Sequence, residues 1–277
     1  MKPCSVTVPL HIVRHRPFID VEWTVKEQHT YTTRCWLDTG GGAVIITEQL
    51  AQKLGVSYRL SQRELVPALL PAMNIRGMLF DFKAVPTFVA LGQSTIQGEE
   101  GVEVFCGAPF LGKYHIIFDY PQHQLTLAAL STVPLPAGIA LPLHIHPQSK
   151  FPRIEIMIEG DTYGMLLDTG ASMTMMSQAV INRWTSQHPE WRKEPLFPQN
   201  QSSQYTQSVE IPQLDWGPYH VKDTQMIARP TGVFEQTLSQ GMSAPVVGAL
   251  AGNVLRQFRC EINYETGILY LLHEPNA

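Results

Sequence analysis

A seven-residue block occurs twice in this chain, and that repetition limits the possible folds more than any other feature. Trp36-Leu37-Asp38-Thr39-Gly40-Gly41-Gly42 returns 130 positions later as Leu166-Leu167-Asp168-Thr169-Gly170-Ala171-Ser172. Each copy leads into an apolar stretch, Ala43 to Ile46 or Met173 to Met176, and then to a potential helix N-cap, Thr47 or Ser177. Amphipathic segments follow, Glu48 to Leu54 and Gln178 to Thr185, the first of them stopped by Gly55. Further on, Phe110 to Tyr120 is matched by Val254 to Tyr264, and both run through a turn into a closing apolar strand, Leu125 to Leu127 or Ile268 to Leu272. The offset has grown from 130 to 144, so the later half carries 14 extra residues, most readily placed in the polar stretch Gln187 to Gln207.

Prolines and a glycine between the copies, Ser131 to Gly138, mark a linker and put a boundary near Val133. The expected units are therefore residues 1–133 and 134–277. Elsewhere the pattern is one of short strands, Phe18 to Val25, Phe80 to Leu91, Arg153 to Ile158, Val209 to Leu214 and His220 to Ile227, with few helical periods. The expectation is an all-β chain of two pseudo-symmetric lobes with short helices and a site at their interface.

Composition removes several alternatives. Twenty Lys and Arg against 24 Asp and Glu give a net charge of −4, which offers no basic surplus for nucleic-acid phosphates or an anionic membrane. No apolar run is long enough to span a bilayer, and the N-terminus lacks the apolar core of a signal peptide, so a cytoplasmic protein is expected. The four cysteines are scattered without a CxxC pair, and His144 and His146 have no third ligand nearby, so no metal and no disulfide framework is expected. Loops for nucleotide binding are absent too, and positions 40 and 170 are glycine where an aspartyl phosphotransferase would want a second acid.

A single Asp-Thr-Gly needs no special explanation, because Asp routinely closes a strand-to-turn transition. Two copies at matching positions of a repeat are different, since a pseudo-twofold axis would set Asp38 and Asp168 side by side. Such a pair shares one proton over a broad pH range, so one carboxylate can take a proton from water while its partner donates one to a peptide carbonyl; the aspartic-protease dyad is the standard illustration of this coupling. Thr39 and Thr169 offer hydroxyls that could lock the two loops together, and Gly40 and Gly170 allow tight turns and close backbone approach.

On these two loops, and on the later Phe105-Cys106-Gly107 and Ala249-Leu250-Ala251-Gly252, the chain resembles a bilobal aspartic peptidase with retropepsin-like lobes. The resemblance implies an endopeptidase with Asp38 and Asp168 as catalytic pair, no cofactor, an extended polypeptide as partner, and a monomer as the working unit. It also implies β-hairpin flaps, with candidates at Pro71 to Gly77 (Met73, Asn74 and Ile75) and at Pro198 to Thr206, where Tyr205 is the aromatic. Pepsin-type sites place Ser or Thr after the glycine, whereas this chain has Gly41 and Ala171, which implies fewer hydrogen bonds to the ionised form and activity reaching mildly acidic or neutral pH. The rival reading is a noncatalytic peptide-binding protein on the same fold.

Overall fold

The computed structural model describes residues 4–24, 29–93, 95–96, 99, 101–130, 136–193 and 207–273. Strands dominate, and three sheets account for them. One is built from residues of the first half in the order Leu65–Pro67, Thr87–Ala90, Val44–Thr47, Val102–Gly107, Thr30–Asp38, Arg16–Thr24, Met73–Ile75 and Met78–Phe80, with His11–Val13 paired on Arg16–Thr24. A second, from the later half, runs His144–Ile145, Pro152–Ile158, Asp161–Leu167, Gly248–Leu250, Thr174–Ser177, Tyr219–Arg229, Ser208–Trp216 and Arg192–Lys193. Both place the strand leading to an Asp-Thr-Gly loop against a parallel strand from much later in sequence, Cys106 beside Leu37 in one and Leu250 beside Leu167 in the other. The fold is the all-β acid-protease architecture.

The third sheet joins the halves. Its order is Ser5–Pro9, Gln124–Ala129, Tyr114–Asp119, Phe258–Asn263, Ile268–His273 and Ile139–Pro142, three strands from each side of the linker. The seam lies between Tyr114–Asp119 and Phe258–Asn263, where Ile117 registers with Glu261 and Asp119 with Arg259. One face, with Ile116, Phe118 and Ile262, enters the main core. The other carries a buried polar chain: His115 Nε2 donates to Glu261 Oε1 at 2.9 Å with both side chains wholly enclosed, and Arg259 Nη1 lies 2.8 Å from Glu261 Oε2. Burial alone would raise the Glu261 carboxyl, but the bonds from His115 and Arg259 outweigh it and hold the group below its ordinary range.

Local chemistry explains where the helices start. Thr47 accepts a bond from the Leu50 amide and caps Glu48–Leu54, which ends at Gly55 in the left-handed region with φ 68°. Ser177 precedes Gln178–Gln187 without making a side-chain cap bond. The stretch Phe80 to Leu91 is not one strand; it breaks between Met78–Phe80 and Thr87–Ala90, with Ala84 at φ 58° and Pro86 following. Cys35, Cys106 and Cys260 are buried thiols and Cys4 is exposed. Among the described residues no helix is long and apolar enough to cross a membrane.

Candidate active site

Asp38 closes the strand Thr30–Asp38, paired there with Gly107, and Asp168 follows Asp161–Leu167, its amide donating to Leu250 O at 2.9 Å. The residues just before each aspartate, Trp36-Leu37 and Leu166-Leu167, are buried, so the strands are anchored by their own apolar side chains. Both loops are thus delivered by central strands rather than by peripheral segments.

The threonines tie the loops to each other. Thr39 N donates to Thr169 Oγ1 and Thr169 N to Thr39 Oγ1, each at 3.0 Å; the hydroxyls in turn donate to Leu167 O at 2.5 Å and Leu37 O at 3.0 Å. All four bonds cross from one half of the chain to the other, and both side chains are buried. Replacing Thr39 by Val leaves the Thr169 amide and Leu167 carbonyl unpaired, at about 1–3 kcal/mol per buried group. A loss of about 2–6 kcal/mol is expected from urea unfolding of Thr39→Val, whereas Thr39→Ser, which keeps the hydroxyl, should retain most of the stability.

Gly170 and Gly40 sit crosswise under the acids. A Cβ on Gly170 would fall 2.1 Å from Asp38 Cγ, and one on Gly40 would fall 2.9 Å from Asp168 Cγ, so each loop's glycine lies against the other loop's carboxyl. Each carboxyl thus lies at the other's loop, close enough for the Asp168 charge to act on Asp38. Gly40 N donates to Asp38 Oδ1 at 2.7 Å, while Asp168 Oδ1 accepts from both Gly170 N at 2.9 Å and Ala171 N at 3.1 Å. Each residue keeps some access to solvent, yet protein encloses most of each carboxyl.

This enclosure pushes Asp38 well above the ordinary carboxylate range, and the nearby Asp168 charge pushes it further. Asp168 is also raised by burial, against the opposing pull of its bonds from Asp38, Ala171 and Gly170. Both carboxyls are therefore raised by burial, while backbone amides pull against the shift, Gly40 and Gly170 at Asp38 and Gly170 and Ala171 at Asp168.

Some neighbours were not legible in the sequence. In the Gly-Gly-Gly run of the first loop, a Cβ on Gly41 would fall 2.2 Å from Phe105 Cζ. The Phe105 ring fills that space, edge-on to Trp36 with centroids 5.2 Å apart. In the second sheet the strand position beside Leu166, matching Phe105 beside Trp36, holds Ala249, and the loop residue matching Gly41 is Ala171. Phe151, from the later half, places its ring 3.9 Å from the Cβ position of Gly42 and 3.4 Å from that of Gly241.

The first flap candidate lies in a hairpin that packs on the core. Pro71 to Gly77 does contain a hairpin arm, but Met73 and Ile75 are buried in the main core, so their side chains serve packing. Asn74 pairs with Glu22 and donates to its Oε2 at 3.1 Å; Glu22 in turn registers with Thr32, six residues before Asp38. At ~3.3 Å per residue the hairpin is braced about 20 Å along the strand from the carboxyls. The strand alternation that marks a flap marks a core hairpin equally well. Tyr205 lies outside the described residues.

No curated protein matches the chain. Residues 154–244, which contain the second Asp-Thr-Gly loop, match the family described as gag-polyprotein putative aspartyl protease. With the β-rich architecture around it, that stretch is similar to a retropepsin-like aspartyl protease domain.

Proposed function

We propose that the chain is an aspartic endopeptidase formed by two duplicated lobes, residues 1–133 and 134–277, acting as a monomer without a cofactor. The single observation that carries the reading is the mutual placement of Asp38 and Asp168, each seated over the other loop's glycine and both raised by burial. The ionised member of the pair acts as the base toward a water held between the carboxyls, and the protonated member donates its proton to the carbonyl oxygen of the scissile peptide bond. The resulting tetrahedral gem-diol then collapses, with a proton passing to the leaving amine, and no covalent enzyme intermediate forms. The substrate is an extended polypeptide lying between the lobes and held by added-strand hydrogen bonds. Thr39, Gly40, Thr169 and Gly170 position the acids.

Incubation with a diverse peptide mixture over a range of pH tests this. Wild type should cleave, and Asp38→Asn and Asp168→Asn should each lose about 10²–10⁴-fold or more. Tight peptide binding without turnover would favour the noncatalytic reading, and equal cleavage by all three proteins would remove the carboxyls from the mechanism. The rate should follow a bell whose alkaline limb reports loss of the shared proton, at a pH above the ordinary Asp range because both groups are raised.

The same shift sets a stability trend. Between the unfolded Asp value of about 3.9 and the raised folded value, the folded state holds more protons, so the Asp38 contribution falls as pH rises through that window. Asp38→Asn should therefore melt at higher temperature than wild type at neutral pH, with a smaller difference at pH 3.

A further inference from the structure

Away from the carboxyl pair, a cavity of ≈200 Å³ opens between the halves, beside the second Asp-Thr-Gly loop. Its first-half wall is His15, in the turn between His11–Val13 and Arg16–Thr24; the remainder comes from Met173 after the second loop, from Tyr219–Arg229 and from the short helix Gly252–Leu255 and its C-terminal end. The turn is firmly seated. A Cβ on Gly252 would fall 2.0 Å from the His15 carbonyl oxygen, and His15 Nδ1 donates to Ser172 O at 3.2 Å.

Three features of the lining point to one ligand chemistry. Lys222 and Arg256 both border the cavity, and among the described residues neither has an ion-pair partner. Thr224, also in the wall, is buried with an Oγ1 that has no hydrogen-bond partner in the protein. Asp223 is the one acid there, and with two lysine and arginine cations against it the lining stays net positive even with His15 neutral.

Each half docks a turn on the other's short helix, Lys150 approaching Gly112 and His15 approaching Gly252. The parallel registers of Thr174 with Met226 and of Val44 with Thr87 make Lys83 the first-half counterpart of Lys222. The position matching Arg256, at an offset of 144, is Gly112, so the first half lacks the second cation.

We propose that this cavity binds a small oxyanion, a phosphate or carboxylate group, between Lys222, Arg256 and His15, with the Thr224 hydroxyl as a further donor. At ~30 Å³ per water the space equals about six to seven waters, which suits inorganic phosphate or a short polycarboxylate and not a folded segment. Occupancy would strap the first-half turn to the second half. It would also bear on the loop beside it, because Asn253 lines the cavity and its Oδ1 accepts from both Thr174 N at 2.7 Å and Thr174 Oγ1 at 2.8 Å. Binding does not depend on peptide hydrolysis, so the proposal stands or falls separately from the assignment of Asp38 and Asp168.

Calorimetric titration and thermal melting of the full chain with inorganic phosphate and with citrate, at constant ionic strength set by sodium chloride, test it. Wild type should bind at least one of the two saturably with a matching rise in melting temperature; the stronger response distinguishes a phosphoryl from a carboxylate ligand. Lys222→Gln/Arg256→Gln should weaken binding tenfold or more, and Arg59→Gln/Arg63→Gln, which removes two cations elsewhere, should leave it unchanged. No saturable response to either anion, or equal weakening by both double variants, would overturn the proposal. The exposed positions of Lys222 and Arg256 make a folding defect an unlikely source of the loss, and the unliganded melting temperature of the variant checks this directly.

Discussion

Gly170→Ala should abolish peptide cleavage while leaving the chain folded. The added methyl would stand 2.1 Å from Asp38 Cγ and 2.4 Å from each of its oxygens, well inside contact distance, so the carboxyl of Asp38 must leave its place. Nothing comparable happens to the core, because the methyl points at the site rather than into packed apolar side chains. A displacement of about 1 Å at a reacting group is enough to cost about 10²-fold in rate, and here the displaced group is one of the two that react. Gly40→Ala is the graded control: its methyl would lie 2.9 Å from Asp168 Cγ, so a partial loss is expected. Cleavage assays on both variants, with circular dichroism to establish folding, decide the matter. Full activity in Gly170→Ala would contradict the crosswise arrangement.

The second large effect is on stability. Glu261→Ala removes the partner of a fully buried His115 and of Arg259 at the seam between the halves, and breaking a buried pair on one side costs about 3–5 kcal/mol. Against the ~5–15 kcal/mol that holds a typical domain folded, this is a major fraction. Urea unfolding should show the midpoint falling accordingly. Removing both partners together, as His115→Leu/Glu261→Met, should recover most of the loss, since an apolar pair of similar volume needs no charge compensation. Wild type should also weaken in acid: Glu261 is held below its ordinary value, so its contribution is complete above the unfolded value of about 4.3 and disappears as pH falls through the folded one.

What the sequence disclosed follows from what a linear pattern can carry. The Asp-Thr-Gly loops, the Thr47 cap with its Gly55 stop, and the predominance of short strands are local or repeated signals, and the structure contains the corresponding elements. The hairpin at Met73–Ile75 was offered as a flap by its position in the resemblance, and position does not say that Met73 and Ile75 are covered by the core. The role of Gly41 was hidden for a related reason. Its need for hydrogen rather than a methyl comes from Phe105, 64 positions away, and no neighbour in sequence announces that contact. His115 and Glu261 are separated by 146 positions and meet only through strand register; a glutamate held between the buried Cys260 and Ile262 was a hint that named no partner. The Lys222 and Arg256 cavity likewise exists only once a turn from the other half closes it.

The differing bulk beside the two loops has a practical corollary for anyone rebuilding this molecule. Where one scaffold presents an aromatic ring, the loop above it has shed its methyl; where the other presents alanine, the loop keeps one. The two Asp-Thr-Gly segments are consequently not interchangeable parts. Grafting Ala171 and its flanks onto the first scaffold would drive a methyl into a ring unless the ring were exchanged as well, so a symmetrised version of the chain has to be redesigned in matched pairs.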